Sequence, residues 1–167
     1  AMANFTDLVE GNFYSNPGAY ALQYGSSYDA YNTAVGYQAL RGSATIQNNS
    51  GTKNTALGYQ AMLLNTSGSS NTALGYLSLS NNSSGSNNIA IGENAMNSNT
   101  ANNNNVAVGF EALKSSVSND NVAVGYQAGY LSTAASNSFF GAYAGNQIST
   151  GIANTGIGDN ALGNASN

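Results

Sequence analysis

One nine-residue motif recurs eight times along the chain, and its spacing restricts the possible folds more than any other feature. The first four copies are Asn32-Thr-Ala-Val-Gly-Tyr-Gln-Ala-Leu40, Asn54-Thr-Ala-Leu-Gly-Tyr-Gln-Ala-Met62, Asn71-Thr-Ala-Leu-Gly-Tyr-Leu-Ser-Leu79 and Asn88-Ile-Ala-Ile-Gly-Glu-Asn-Ala-Met96. The other four are Asn105-Val-Ala-Val-Gly-Phe-Glu-Ala-Leu113, Asn121-Val-Ala-Val-Gly-Tyr-Gln-Ala-Gly129, Asn137-Ser-Phe-Phe-Gly-Ala-Tyr-Ala-Gly145 and Asn154-Thr-Gly-Ile-Gly-Asp-Asn-Ala-Leu162. Their anchor glycines, Gly36, Gly58, Gly75, Gly92, Gly109, Gly125, Gly141 and Gly158, follow one another at intervals of 22, 17, 17, 17, 16, 16 and 17 residues. That period is too short for two-helix repeats or propeller blades, and it suits one coil of a β-solenoid. The expected fold class is therefore all-β, a parallel β-solenoid or β-roll with coils of 16–17 residues. Each coil has room for a strand of about five residues, a turn, a second short strand and a polar return such as Asn65-Thr-Ser-Gly-Ser-Ser70. Asn-Gly and Asp-Gly dipeptides, the strongest hairpin signals, are absent, which favours coils that wind onward.

Alternation inside the motif bears on assembly. The residue before the anchor glycine is large and apolar (Val35, Leu57, Leu74, Ile91, Val108, Val124, Phe140, Ile157), and the one before that is mostly Ala or Gly. A period of two places these sets on opposite faces of a strand. Neither set is polar, so both faces are expected to be buried, the Ala/Gly face by close approach of another backbone. Two large apolar side chains per repeat are few against the entropy of ordering a whole coil. Side-by-side association of three chains, packed through the alanines, follows as the expectation.

Composition removes several function classes. Only 6% of residues are charged, with three cations, Arg41, Lys53 and Lys114, so no basic stripe exists to engage nucleic acid. No apolar run approaches the ~20 residues that span a bilayer, so no membrane insertion is expected in this segment. The chain has no Cys and no His, which takes away thiolate nucleophiles, imidazole bases and the usual zinc ligands. The seven carboxylates, Asp7, Glu10, Asp29, Glu93, Glu111, Asp120 and Asp159, are scattered; none forms a calcium-binding nonapeptide, and no pair can be nominated for glycosidase chemistry. No catalytic residue, metal site or cofactor is expected, and the chain is read as no enzyme.

Three regions are expected. Residues 1–3 read as a cloning remnant, and residues 4–31 as an aromatic-rich cap or junction with a degenerate repeat at Gly18-Ala-Tyr-Ala-Leu22. Residues 32–167 read as the repeat domain, a fragment of a longer chain. The cap cluster, Phe5, Phe13, Tyr14, Tyr20, Tyr24, Tyr28 and Tyr31 around Pro17, would cover a terminal coil, with receptor contact as the other reading.

The run Asn-Thr-Ala-Val/Leu-Gly-Tyr-Gln-Ala-Leu/Met followed by a Ser/Asn/Gly return is similar to the head repeats of trimeric autotransporter adhesins. It more closely resembles the repeats of phage tail fibre proteins. The resemblance covers residues 32 to 162. It implies a left-handed parallel β-roll, three chains about one axis, and a place on a virion or a bacterial cell surface where distal parts bind host receptors or matrix. Adhesin heads usually carry Ser-Val-Ala-Ile-Gly at a shorter repeat, so the tail-fibre reading leads.

Three residue series are candidates for function. Asn32, Asn54, Asn71, Asn88, Asn105, Asn121, Asn137 and Asn154 read as a structural ladder bonding successive coils. Tyr37, Tyr59, Tyr76, Phe110 and Tyr126 form a broken aromatic stripe that either packs along the coils or holds a glycan or receptor. Thr33, Thr55, Thr72 and Thr155 admit an ice-binding reading, weakened by Ile89, Val106, Val122 and Ser138 in the same register.

Overall fold

The computed structural model describes residues 31–42, 50–115, 118–148 and 150–163. All but one of the aromatic residues assigned to the cap lie outside them; Tyr31 is described and exposed. Eight strands follow the chain: β1 (Thr33–Val35), β2 (Thr55–Leu57), β3 (Thr72–Leu74), β4 (Ile89–Ile91), β5 (Val106–Val108), β6 (Val122–Val124), β7 (Ser138–Phe140) and β8 (Thr155–Ile157). They form one parallel sheet in the order β1-β2-β3-β4-β5-β6-β7-β8. Equivalent motif residues pair at every step, as in Ala34↔Ala56, Ala56↔Ala73 and Ala90↔Ala107. The protein is a parallel β-solenoid, with no helix among the described residues. Intervals of 16, 17 and 22 residues all deliver the same register, so length differences are absorbed in the polar returns.

The coil cross-section follows from the motif. Ala34, Ala56, Ala73, Ala90, Ala107 and Ala123, at the middle of their strands, are completely buried. They face the coil's own far wall. A Cβ added to Gly156, which occupies the same place in β8, would meet the Ala161 carbonyl oxygen at 3.1 Å and the Leu162 side chain at 3.3 Å. The interior is narrow, so alanine lines the strand wall while Leu40, Met62, Leu79, Met96 and Leu113 fill the opposite corner. β7 departs from this rule with Phe139, which is fully buried. Gly129 and Gly145 replace the corner Leu or Met beside it; a Cβ at Gly145 would lie 2.2 Å from the ring. Volume added on one wall is removed from the other.

Three expectations are corrected by the structure. The alanine side is dry because it is the lumen of one coil, so no sister chain is needed to cover it. The large apolar set points outward and is only partly covered, with Leu57 44%, Leu74 41% and Ile157 74% exposed. The strand is three residues long, and no second strand forms among the described residues. Its place is taken by a corner in which left-handed residues alternate with ordinary ones, such as Gln60 (φ 53°) and Met62 (φ 52°). Alternating backbone twist lets each peptide bond reach a neighbouring coil: the Gln60 N–H donates to the Tyr37 carbonyl at 2.8 Å, and the Met62 N–H to the Ser78 carbonyl at 3.0 Å. The corner is thus hydrogen-bonded like a sheet without strand geometry.

The anchor glycine turns the strand into that corner. Gly36, Gly58, Gly75, Gly92, Gly109, Gly125 and Gly141 have φ between 128° and 141°. In that region side chains are excluded. Each glycine also rests directly on the next: a Cβ on Gly58 would sit 2.4 Å from the Gly75 carbonyl oxygen.

Candidate functional surfaces

Three longitudinal arrays repeat with the coils. The first is internal. Each motif asparagine accepts, through Oδ1, a hydrogen bond from the backbone N–H of the next: Asn54 to Asn32 at 2.8 Å, Asn71 to Asn54 at 2.9 Å, Asn88 to Asn71 at 2.9 Å and Asn105 to Asn88 at 3.0 Å. Asn121, Asn137 and Asn154 continue it at 2.9, 3.0 and 2.8 Å. Their Nδ2 groups tie down the returns, Asn54 to the Gly68 carbonyl and Asn71 to that of Gly85, both at 2.8 Å. Asn32, Asn54, Asn71, Asn88, Asn105, Asn121 and Asn137 are buried, so these side chains serve the stacking of coils.

A second ladder, Asn65, Asn82 and Asn99, also buried, was missed by the sequence reading. Asn82 donates to Asn65 and Asn99 to Asn82, each at 2.8 Å. The signal was present: each of these residues stands 11 positions after a motif asparagine.

The outward sheet face forms the next array. Position by position it presents Thr33 and Val35, Thr55 and Leu57, Thr72 and Leu74, Ile89 and Ile91, Val106 and Val108, Val122 and Val124, Ser138 and Phe140, Thr155 and Ile157. Eight strands at about 4.8 Å spacing give a band about 34 Å long. The threonines and the aliphatic residues share this face, since residues two apart in a strand point the same way.

The aromatic array lies just past the anchor glycines. Tyr37 stacks on Tyr59 with ring centroids 5.2 Å apart, and Tyr59 on Tyr76 at 5.3 Å. Phe110 stacks on Tyr126 at 5.1 Å. Tyr143, one position further along its own coil, meets Tyr126 edge-on at 5.2 Å and extends the row where Ala142 leaves a gap. The five nominated residues therefore form two stacks, Tyr37-Tyr59-Tyr76 and Phe110-Tyr126, separated by Glu93. Rings stacked at this spacing cover one another's faces and turn their edges to solvent. Partial desolvation, and then the neighbouring Tyr143 phenol, raise the Tyr126 phenol above its ordinary pKa.

Beside the array, the Lys114 ammonium lies 2.6 Å from a Glu111 carboxylate oxygen, and the other oxygen accepts from Gln127 Nε2 at 2.7 Å. The hydrogen bond from Lys114 holds the Glu111 carboxyl below its usual range, and its partner in turn holds Lys114 above the ordinary lysine value. Lys114 also sits 5.6 Å from the Tyr130 ring centroid. Among the described residues, no three His, Cys, Asp or Glu side chains gather as metal ligands do, and no helix is long and apolar enough to cross a membrane.

The chain matches no protein-family model, no curated protein and no solved structure.

Proposed function

We propose that this chain is a non-enzymatic structural segment of a surface fibre, a phage tail fibre contributing to host attachment, in which three copies associate through the outward sheet face. The observation that carries the reading is the coincidence of eight strands in one register with a continuous outward band of half-exposed Val, Leu, Ile and Phe. A lone soluble coil stack would place polar residues there. The coil interior already satisfies the alanines, so the surface left for a second and third copy is the aliphatic one. Assignment to a tail fibre, and the left-handed sense of winding, are supported by the resemblance of the Asn-Thr-Ala-Leu-Gly-Tyr repeats; a bacterial adhesin head is the alternative within the same architecture. Attachment would use a host receptor or glycan, outside the virion.

Sedimentation equilibrium tests the association. Wild type is expected at three times the chain mass, and a Leu57→Lys, Leu74→Lys double variant at a lower mass with its β-type circular dichroism retained. Wild type sedimenting as a single chain would end the proposal. Adsorption of labelled protein to bacterial cells, compared with adsorption to animal matrix proteins, separates the fibre from the adhesin.

A further inference from the structure

We propose that Tyr126 and Tyr143 form an oxidative cross-linking site, where a one-electron oxidant couples the two phenols into dityrosine and staples one coil to the next. Both rings lie at the surface, 45% and 41% exposed, within reach of a soluble oxidant. Ring pairs recur along the aromatic row at nearly one distance, 5.2, 5.3, 5.1 and 5.2 Å between centroids, and orientation sets one of them apart. Tyr37 with Tyr59, Tyr59 with Tyr76 and Phe110 with Tyr126 are nearly parallel, at 17°, 15° and 12°. Tyr126 and Tyr143 stand at 66°.

The cause is an offset of one residue. After the anchor glycine of the β7 coil comes Ala142, and the ring is carried by Tyr143 instead. The Tyr143 N–H donates to the Tyr126 carbonyl at 2.8 Å, which fixes the two coils against each other. One coil step of about 4.8 Å combined with one residue step of about 3.8 Å puts the two Cα atoms about 6 Å apart. In-register pairs such as Tyr37 and Tyr59 are separated by the coil step alone. Two rings joined by a carbon–carbon bond stand twisted about it and hold their Cβ atoms farther apart than one coil step. The offset pair approaches that arrangement, and the stacked pairs oppose it. Phe110, flat against the opposite side of Tyr126, holds that ring in place and has no phenol with which to compete. The phenols themselves are neighbours: after desolvation, the charge and hydrogen bonding of Tyr143 are what raise the Tyr126 phenol, and both act at short range. Oxygens side by side bring the adjoining ring carbons together.

In the coupling, each phenol gives up one electron and one proton to become a phenoxyl radical. The two radicals pair in a bond between the carbons ortho to their oxygens, and the hydrogen on each of those carbons moves to its own oxygen and restores the phenol. The pair has then lost two electrons and two protons. One hydrogen peroxide, acting through a peroxidase, takes them up as it is reduced to two waters. The link closes the coil between Tyr126 and Tyr143 into a loop, so it stabilises by restricting the unfolded chain. It needs only the coil stack of one chain and stands apart from the association and the tail-fibre assignment proposed above.

Treatment of the whole chain with a peroxidase and one equivalent of hydrogen peroxide tests the site, with the denatured products weighed by mass spectrometry and digested to locate the link. Wild type is expected to yield a species of one-chain mass less two hydrogens, with dityrosine fluorescence. The link between Tyr126 and Tyr143 should be at least tenfold more abundant than any among Tyr37, Tyr59 and Tyr76. Tyr143→Phe and Tyr126→Phe should each remove it, and Tyr59→Phe should leave it unchanged; phenylalanine keeps the ring contacts, and circular dichroism verifies the fold. Oxidation should raise the unfolding temperature of wild type and not that of Tyr143→Phe. Preferential coupling among the stacked tyrosines, links formed only between chains, the same product from Tyr143→Phe, or no rise in the unfolding temperature of oxidised wild type overturns the proposal.

Discussion

An alanine in place of the anchor glycine is the smallest change that should break the coil. At Gly75 the backbone has φ 134°, and an added Cβ would lie 2.7 Å from the Gly92 carbonyl oxygen, an atom that cannot yield without moving the next coil. Gly75→Ala is expected to cost about 3 kcal/mol or more, measured by urea unfolding followed by circular dichroism. A loss under about 0.5 kcal/mol would show that the glycine column is dispensable. Phe139 offers a test of lumen volume. Phe139→Ala alone should destabilise by about 3–5 kcal/mol through the cavity it leaves. Adding Gly145→Leu should recover much of that loss, because Gly145 has φ 62° and the corner leucine Leu113 adopts φ 48° in the same region. A double variant less stable than the single one would refute the exchange of volume between the walls. The repeated motif already displayed the glycine column, the inward alanines and the motif asparagines as residue types. Their partners were not visible: the left-handed conformation of Leu40, Met62, Leu79 and Met96 contradicts ordinary residue preference and arises only because neighbouring coils accept the hydrogen bonds.

A coil is the interchangeable element of this fold. β2 pairs with β3, and β3 with β4, through equivalent residues in the same register. Removing residues 71–87, one full period, should join β2 to β4 with Thr55 opposite Ile89 and leave the sheet, the glycine column and the first asparagine ladder continuous. Amide hydrogen exchange is the measurement: protection in the remaining coils should survive the deletion, whereas removal of eight residues, half a period, should abolish it. Coil length and strand position were legible in the sequence, since the period and the alternation encode them directly. The corner was not. A run such as Tyr59-Gln-Ala-Met62 has the alternation of a short strand, and only contacts between successive coils reveal that its backbone twists the other way at every second residue.

Over the whole molecule, charge contributes little to stability, and its pH response should be correspondingly narrow. The one ion pair seen among the described residues is Glu111 with Lys114. Because the Glu111 carboxyl titrates below its ordinary value, its stabilisation is present above the usual carboxylate pKa and is lost as acid takes the pH through the lowered one. Lys114 is raised, so its share is present below the ordinary lysine pKa and is lost as pH rises through the raised value. The stability difference between wild type and Lys114→Met should therefore be constant from about pH 6 to pH 9 and shrink below about pH 4. Thermal unfolding across a pH series checks this, and a difference that grows on acidification would contradict the assigned directions.

The sequence by itself determined the winding: a period near 17 residues, a glycine at each corner and alternating side chains leave a stacked parallel coil as the arrangement that buries the repeats and pairs their backbones. Tertiary structure decided which side of the strand is the inside. Alternation says that alanine and the large aliphatic residues part company, but a period of two is symmetric and labels neither face. The width of the lumen breaks that symmetry: where Leu or Met fills the far corner, the strand wall has room for a methyl group and little more, so Val, Leu and Ile are turned outward, and Phe139 enters only where glycine empties the corner.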